Sequence, residues 1–160
     1  MNHPILSEKR VRRLRLQGFV NQSEQELSQL AFGIRFAYRL CTALLIVGVL
    51  TQSIAIFSFM FVIAFLGATL PNHPFDYIYN HFLSEKMNRP TLPTRAPQLR
   101  FACMIATIWI GTIDYFMSSG AITAATVLSA FFIFIAGLLS TTDICIPSII
   151  YKAAFQRNQV

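Results

Sequence analysis

Apolar residues form long runs along this chain, and short polar turns and one long polar segment separate them. The run at 40–70 is interrupted by polar residues only at 51–53. It is too long for one membrane-spanning helix and too short for two, because each span needs about 20 residues. Beginning the first helix near Ala31 resolves this conflict. The pattern then predicts two spans, at 31–50 and 53–70.

Two further apolar runs, 101–118 and 121–140, predict a third and a fourth span. Ser23 and Glu26 form an S-x-x-E capping box ahead of the first span, so we expect that helix to begin near Ser23. Within the polar segment, apolar residues recur at helical spacing from 75 to 87, which predicts a short interfacial helix. The predicted fold is therefore an all-α integral membrane protein with four transmembrane helices and one interfacial helix.

A short internal repeat relates the two predicted hairpins. The tripeptide Arg-Phe-Ala opens the first hairpin at Arg35 and the second at Arg100. Both hairpins would cross the membrane in the same direction, which is typical of a parallel repeat. We expect a basic cytoplasmic tail at 1–22, a membrane domain at 23–151 and a second cytoplasmic tail at 152–160.

Composition and charge agree with a membrane protein and indicate its orientation. Of the 160 residues, 54% are hydrophobic and 12% are charged, whereas soluble domains average about 25% charged residues. This balance excludes a disordered chain, a basic nucleic-acid-binding domain and most soluble enzymes. The net charge is +6, and the basic residues lie on the predicted tails, the central segment and the adjoining helix ends.

The positive-inside rule therefore predicts that both termini are cytoplasmic. We expect a bacterial inner-membrane protein that contacts an anionic inner leaflet and binds a membrane protein partner or further copies of itself. No nucleic-acid partner is expected.

Two arginines fall at the cytoplasmic end of the first span. Arg35 and Arg39 are four residues apart and share a helix face. An arginine near lipid faces protein, pairs with an acid or extends to the lipid phosphates. We predict that Arg39 pairs with Asp143, with extension to phosphate as the alternative, and that Arg35, Arg39 and Arg100 are candidate contacts for an anion. Two other carboxylates are alternative partners, Asp76 and Glu85.

The central segment contains two histidines that could ligate a metal. His73 and His81 are eight residues apart, a spacing that does not match the usual pairs of zinc ligands on a helix. We therefore expect no metal site, and we expect His73 to cap a helix that has Pro74 at its first position. The chain also lacks a glycine-rich phosphate loop, and no cofactor is expected.

Three cysteines are present, and an odd, sparse set does not indicate a disulfide framework. Cys145 opens a C-x-x-S arrangement with Ser148, close to Lys152. A thiol near cations at an unwound helix end has a lowered pKa, so Cys145 is the candidate reactive group. The alternative is that it is a buried small residue, which is our expectation for Cys41 and Cys103.

Several motifs together resemble one family. They are HPFDYIYNH at 73–81, P-x-x-R-F-A at 97–102, CIPSIIY at 145–151 and the pair Asn21-Gln22. These stretches resemble DUF4395, a bacterial membrane family of unknown function, over residues 20–151. The resemblance implies a membrane fold. Many members carry C-x-x-C where this chain has Cys145 and Ser148, and some relatives are linked to thioredoxin-like or rhodanese-like proteins, which implies sulfur or redox chemistry.

Three function classes remain open at this point. The first, which we predict, is a non-catalytic accessory or assembly component that binds other membrane proteins. The second is a transporter of a small solute or sulfur species that works as an oligomer. The third is a membrane thiol-redox protein that uses Cys145. The first is favoured because transporters normally carry a polar cluster at mid-membrane and none is evident in the sequence.

Overall fold

The computed structural model describes residues 6–155, which fold into helices joined by short turns, with no β-strand among them. The helices are α1 (Glu8–Leu16), α2 (Glu24–Thr51), α3 (Ile54–Thr69), α4 (Pro74–Ile78), α5 (Ser84–Lys86), α6 (Pro97–Ser118), α7 (Ile122–Thr142) and α8 (Ile146–Phe155). A π-helical turn, Tyr79–Leu83, connects α4 to α5. The chain is therefore all-α over the described range.

Three of these helices, α2, α6 and α7, are long and apolar enough to cross a membrane. The second predicted span, 53–70, corresponds to α3, which has 16 residues and meets the α4–α5 segment at a bend of 83°. The count within residues 6–155 is thus three spans, or four if this bent pair forms one span. The helical boundaries lie close to the spans that the apolar runs predict.

Local capping explains where two helices begin. The Ser23 hydroxyl accepts a hydrogen bond from the Glu26 amide at 3.3 Å, and the Glu26 carboxylate accepts one from the Ser23 amide at 2.7 Å. The predicted capping box is therefore confirmed. At α4, the His73 ring accepts from the Phe75 amide, and Pro74 occupies the first helical position, as expected.

The long helices pack in reciprocal pairs. α3 packs mainly against α6, and α2 packs mainly against α7, while α6 also contacts α7 and α8. Their shared core includes Leu45, Phe57, Met60, Ile110 and Ile113. One end of the bundle contains α1, the connection between α3 and α6, and the connection between α7 and α8. We call this end the basic end.

The N-terminal segment departs from the solvated tail that we expected for residues 1–22. Residues 8–16 form α1, and its apolar face, with Val11 and Leu14, is buried against Leu27 and Leu99. Phe19 is buried in the same cluster. The physical reason is the spacing of these apolar residues, which places them on one face and gains burial free energy that a solvated tail would forgo. Residues 1–5 and 156–160 of the predicted tails lie outside the described range.

A glycine allows α2 to approach the π-helical turn closely. A Cβ atom at Gly33 would lie 2.6 Å from ring carbons of Tyr79, a fully buried side chain, and 3.1 Å from Leu92. At Gly137 in α7, by contrast, nothing lies within 4 Å of the corresponding position. Gly33 is therefore a helical glycine packed against a buried ring, and Gly137 is a helical glycine with open space beside it.

We expect Gly33→Ala to destabilise the protein by about 1–3 kcal/mol, because the added methyl group overlaps a buried ring. Gly137→Ala, the matched control, should be neutral or stabilising by about 0.5–1 kcal/mol, since alanine suits a helix better. Unfolding in mixed micelles measures both changes. Equal effects of the two substitutions would contradict the close approach of α2 to Tyr79.

Candidate functional site

All three cysteines line one cavity of about 100 Å³ inside the bundle. Cys41 comes from α2, Cys103 from the first turns of α6 and Cys145 from the link between α7 and α8. All three are free thiols. The rest of the wall is mainly apolar, with Leu45, Met60, Ile63, Leu99, Ile110 and Phe132. Tertiary packing therefore brings together thiols that lie far apart in the sequence.

Arg95 is a charged residue of the cavity wall, and it belongs to a buried ion pair. Arg95 holds Asp76 through two parallel hydrogen bonds, Nε to Oδ2 at 2.5 Å and Nη2 to Oδ1 at 3.0 Å, and both side chains are at least 94% buried. Arg95 Nη1 also donates to the Cys103 sulfur at 3.6 Å. Burial alone would lower the pKa of Arg95, but the Asp76 carboxylate raises it above its ordinary value, so the guanidinium stays charged.

Local structure positions this pair. Asp76 lies in the first turn of α4, where its carboxylate also accepts a hydrogen bond from the His73 amide at 3.2 Å. The Arg95 amide donates to the Pro71 carbonyl at 2.8 Å. The proline-rich strap before α6 is therefore tied to the turn that follows α3, and the Arg95 side chain is directed toward the thiols.

His73 lines the same cavity as a neutral, buried side chain. Its Nδ1 atom accepts from the Phe75 amide at 3.3 Å, which requires that nitrogen to be unprotonated. Burial, with the nearby Arg95 charge, lowers the pKa of His73 to about 3. The histidine is therefore a hydrogen-bond acceptor in a cap, and it is uncharged at neutral pH.

A second buried carboxylate lies close to Cys145. Asp143 follows α7 in a left-handed conformation, with φ of 59°, and its side chain is 1% exposed. Arg35 donates to both of its oxygens, at 2.8 and 2.5 Å, and Arg10 donates to Oδ2 at 2.7 Å. The partner predicted from the sequence, Arg39, is exposed instead. Arg35 lies one turn earlier on the same face of α2, and it is this arginine that lies within hydrogen-bond distance of Asp143.

Helix α1 also caps the end of α7. Arg13 donates to the Thr142 carbonyl at 2.7 Å, and Gln17 donates to the Asp143 carbonyl at 2.8 Å. These contacts satisfy carbonyl groups that have no partner within the helix itself. The N-terminal helix therefore holds the α7–α8 link in place directly above Cys145.

The surroundings of Cys145 match a buried small residue, one of the two alternatives for this position, and differ from those of a reactive thiolate. Cys145 is 3% exposed, and its sulfur accepts a hydrogen bond from the Ser148 hydroxyl at 3.0 Å. Burial raises the pKa of the Cys145 thiol above its ordinary value, although the bonds to Ser148 oppose this. The expected lowering of this pKa is therefore wrong, because desolvation outweighs the hydrogen bonds and the basic residues nearby.

Other predicted site residues fall in separate places. His73 is buried and His81 is exposed, and no group of three or more metal-ligating side chains within residues 6–155 is arranged to hold a metal ion. Arg100 donates to the carbonyls of Ala68 and Thr69 at the end of α3, away from Arg35 and Arg39. Arg100 therefore caps a helix, and it does not join the other two arginines.

Sequence reasoning missed three side chains of this region. Arg10 lay in a segment that we took for a tail, and Arg95 lay in a proline-rich strap without periodicity. Tyr38, which lines the thiol cavity with its ring centroid 5.5 Å from the Arg95 guanidinium, lay on an apolar helix. One signal was present, since the predicted topology places all three cysteines in the cytoplasmic half of the protein. That signal does not place them in one cavity.

We expect Asp143→Ala to destabilise the protein by about 3–5 kcal/mol, because two arginines lose their buried partner. The double variant with Arg35→Ala should lose less than the sum of the single losses, as coupled sites do. Arg39→Ala is the matched control on the same helix, with an expected change within about 0.5 kcal/mol. Unfolding in detergent measures the free energy of unfolding of the three single variants and of the double variants that combine Asp143→Ala with each arginine change. Strong coupling of Asp143 to Arg39, and none to Arg35, would support the pair predicted from the sequence.

His73 makes stability dependent on pH. Its pKa is lower in the folded state, so below the unfolded value of 6.5 the unfolded chain binds more protons. The contribution of the neutral His73 to the free energy of unfolding is therefore complete above about pH 6.5, and it is lost as the pH falls toward 3. The variant His73→Asn retains a capping acceptor and should flatten this part of the stability profile, while the exposed control His81→Asn should leave it unchanged. Identical profiles for all three proteins would contradict a buried neutral His73.

Comparison with known proteins gives one match. A family described as a domain of unknown function, DUF4395, matches residues 31–156. No curated protein and no solved structure matches the chain. The matched range contains all three cysteines and both buried carboxylates, and it excludes α1. Since the match extends over most of the chain, the protein belongs to the DUF4395 family.

Proposed function

We propose that the protein crosses the membrane four times, with both termini and the 71–100 segment on the cytoplasmic side. The described arginines and lysines support this arrangement, because they lie on α1, the first half of α2, the 71–100 segment and α8. The opposite turns, at 52–53 and 119–121, contain no basic residue. Such a one-sided distribution is typical of the cytoplasmic face of membrane proteins.

Reporter fusions test this orientation. A reporter that is active only outside the cytoplasm should be active when inserted at Ser119 and inactive when joined after Val160. A cytoplasm-active reporter provides the reciprocal control at the same two positions. Extracytoplasmic activity at Val160 would overturn the proposed topology.

Reciprocal contacts support a parallel repeat within this four-span arrangement. The units α2–α3–α4 and α6–α7–α8 correspond in order, and each second helix packs against the first helix of the other unit. The third helix of each unit packs back on its own first helix. Arg35 and Arg100, which open the two units, each bind the end of the other unit's second helix. An axis along the membrane normal would relate such contacts.

We further propose that the cavity binds a small, uncharged, sulfur-bearing solute. The observation that carries this proposal is the convergence of Cys41, Cys103 and Cys145 on one mainly apolar cavity. Sulfur is soft and polarizable, so thiols favour contact with another sulfur over contact with oxygen. A volume of about 100 Å³ has room for a solute of only a few heavy atoms.

The charges around the cavity favour binding of an uncharged solute over thiol-redox catalysis. Arg95 is already neutralised by Asp76, so it offers no net charge to an anion. The raised pKa of the Cys145 thiol keeps it protonated, whereas a redox nucleophile needs the thiolate. Ser148 stands where a second cysteine would close a local disulfide. A redox function through Cys145 is therefore the weaker proposal.

A second pocket lies at the basic end. It has a volume of about 340 Å³, lies beneath α1 and is lined by Lys9, Arg12 and Arg13 together with Cys145. Cys145 therefore forms part of the wall of both pockets. This arrangement supports passage of the solute between the bundle interior and the cytoplasmic side. The accessory role predicted from the sequence rested on the lack of a polar cluster at mid-membrane. The Asp76–Arg95 pair beside Cys103 is a polar cluster at the cytoplasmic end of the bundle in the proposed topology.

Thermal unfolding in lipid nanodiscs tests this function. Methanethiol should raise the melting temperature as its concentration increases, because a ligand that binds only the folded state stabilises it. Methanol, the oxygen analogue, should have little effect, and the variant Cys103→Ser should lose most of the methanethiol response. Equal shifts with the two solutes, or none with either, would overturn the proposal.

Thiol labelling provides the second arm of the same test. At alkaline pH, where the thiolate forms, a small uncharged methanethiosulfonate should modify each cysteine in variants that retain only that one. In the native chain, one modification should exclude the others, because its methylthio group fills much of the shared cavity. Independent labelling of two or three cysteines per chain would show that the thiols do not share a space.

A further inference from the structure

A separate pocket at the basic end gathers four arginines from three segments. It has a volume of about 210 Å³ and is lined by Arg10 of α1, Arg35 and Arg39 of α2, and Arg89, which follows α5. Phe32 forms part of its apolar wall. None of these residues lines the thiol cavity. The pocket is therefore a distinct site with its own chemistry.

The positive charge of this pocket is largely uncompensated. The carboxylate in contact with its arginines, within residues 6–155, is Asp143, which binds Arg10 and Arg35. Arg39 and Arg89 form no ion pair with any residue in that range. Four cations thus share one anion, and an anionic ligand would relieve their mutual repulsion.

Hydrogen-bond donors remain available on these arginines. A guanidinium has five N–H donors, and Arg10 uses its Nε atom on Asp143. Arg89 is held by a cation–π contact, 5.2 Å from the Phe32 ring centroid, and this contact does not consume its donors. The pocket therefore presents preformed guanidinium groups of the kind that bind phosphate oxygens.

The depth of Arg39 indicates where such a ligand comes from. Arg39 lies twelve residues before Thr51, the last residue of α2, which corresponds to about 18 Å along the helix. Phe32, which Arg89 contacts, lies nineteen residues before Thr51, or about 28 Å. The hydrocarbon core is about 30 Å thick, so in the proposed topology the Phe32 side of the pocket lies at the level of the cytoplasmic headgroups and Arg39 lies about 12 Å below that level. The exposed Arg39 side chain extends from there toward the headgroups.

We propose that this pocket binds the phosphate group of an anionic membrane lipid. Arg39 and Arg89 contact the phosphate directly, and Arg10 and Arg35 complete the positive field while they remain bound to Asp143. Because the arginines come from α1, α2 and the turn after α5, the bound phosphate links the N-terminal helix to the bundle. This inference uses the proposed topology, and it is independent of the solute bound by the thiol cavity.

Native mass spectrometry and thermal unfolding of the full chain in detergent test the site. Phosphatidic acid and phosphatidylglycerol are the probes, and phosphatidylcholine is the lipid control. Anionic lipid should bind and raise the melting temperature, while phosphatidylcholine should do neither. The double variant Arg39→Gln/Arg89→Gln should weaken this binding about tenfold or more, since charge-assisted hydrogen bonds are lost. Asp143 keeps both its partners in this variant, so the fold should persist.

The matched control is Arg15→Gln, which removes an equal type of charge from an exposed position of α1 outside the pocket. It should bind anionic lipid as the native chain does. If it loses as much affinity as the pocket variant, binding reflects net charge and the proposal fails. Inorganic phosphate distinguishes the ligand source. Weak competition by phosphate alone supports a lipid ligand, whereas phosphate binding as tight as that of phosphatidic acid would overturn the lipid assignment.

Discussion

The neutralisation of two buried carboxylates is the interaction on which the basic end of this molecule depends. Asp76 and Asp143 are each at least 96% buried in a bundle whose helices are apolar. A buried charge costs several kcal/mol unless a partner of opposite sign and further hydrogen bonds compensate it. Arg95 supplies this for Asp76, and Arg10 with Arg35 supplies it for Asp143. Each pair therefore determines which segments must lie side by side.

The two pairs hold two different parts of the cavity wall. Arg95 ties the proline-rich strap to α4 and brings a donor to the Cys103 sulfur. The Asp143 cluster joins α1, α2 and the end of α7, and so positions the link that carries Cys145. Residues that these ion pairs hold in place therefore lie beside two of the thiols, Cys103 and Cys145. A cavity built in this way keeps its shape without a disulfide or a metal ligand among the described residues.

The balance of positive and negative charge also distinguishes the functions that we propose for the two sites. At the thiol cavity the guanidinium is matched by a carboxylate, which leaves a neutral, soft interior for an uncharged solute. At the arginine pocket one carboxylate serves two of four cations, which leaves a field suited to a phosphate. The family match covers the residues of the first site but not α1, which contributes Arg10 to the second. Local charge balance, and not the fold alone, thus distinguishes the sites.

From the sequence alone, the apolar runs, the capping box at Ser23 and the cap at His73 predicted the helices and their approximate ends. The apolar runs also predicted helices that are apolar enough to cross a membrane. These features depend on contacts within a few residues, so a linear pattern is enough to reveal them. The partner of Asp143, the docking of α1 and the gathering of three cysteines were decided only by tertiary structure. Arg35 and Arg39 share a helix face one turn apart, and only the packing of α2 against α7 places Arg35 in contact with Asp143. Such choices depend on the relative orientation of distant helices, which no spacing along the chain records.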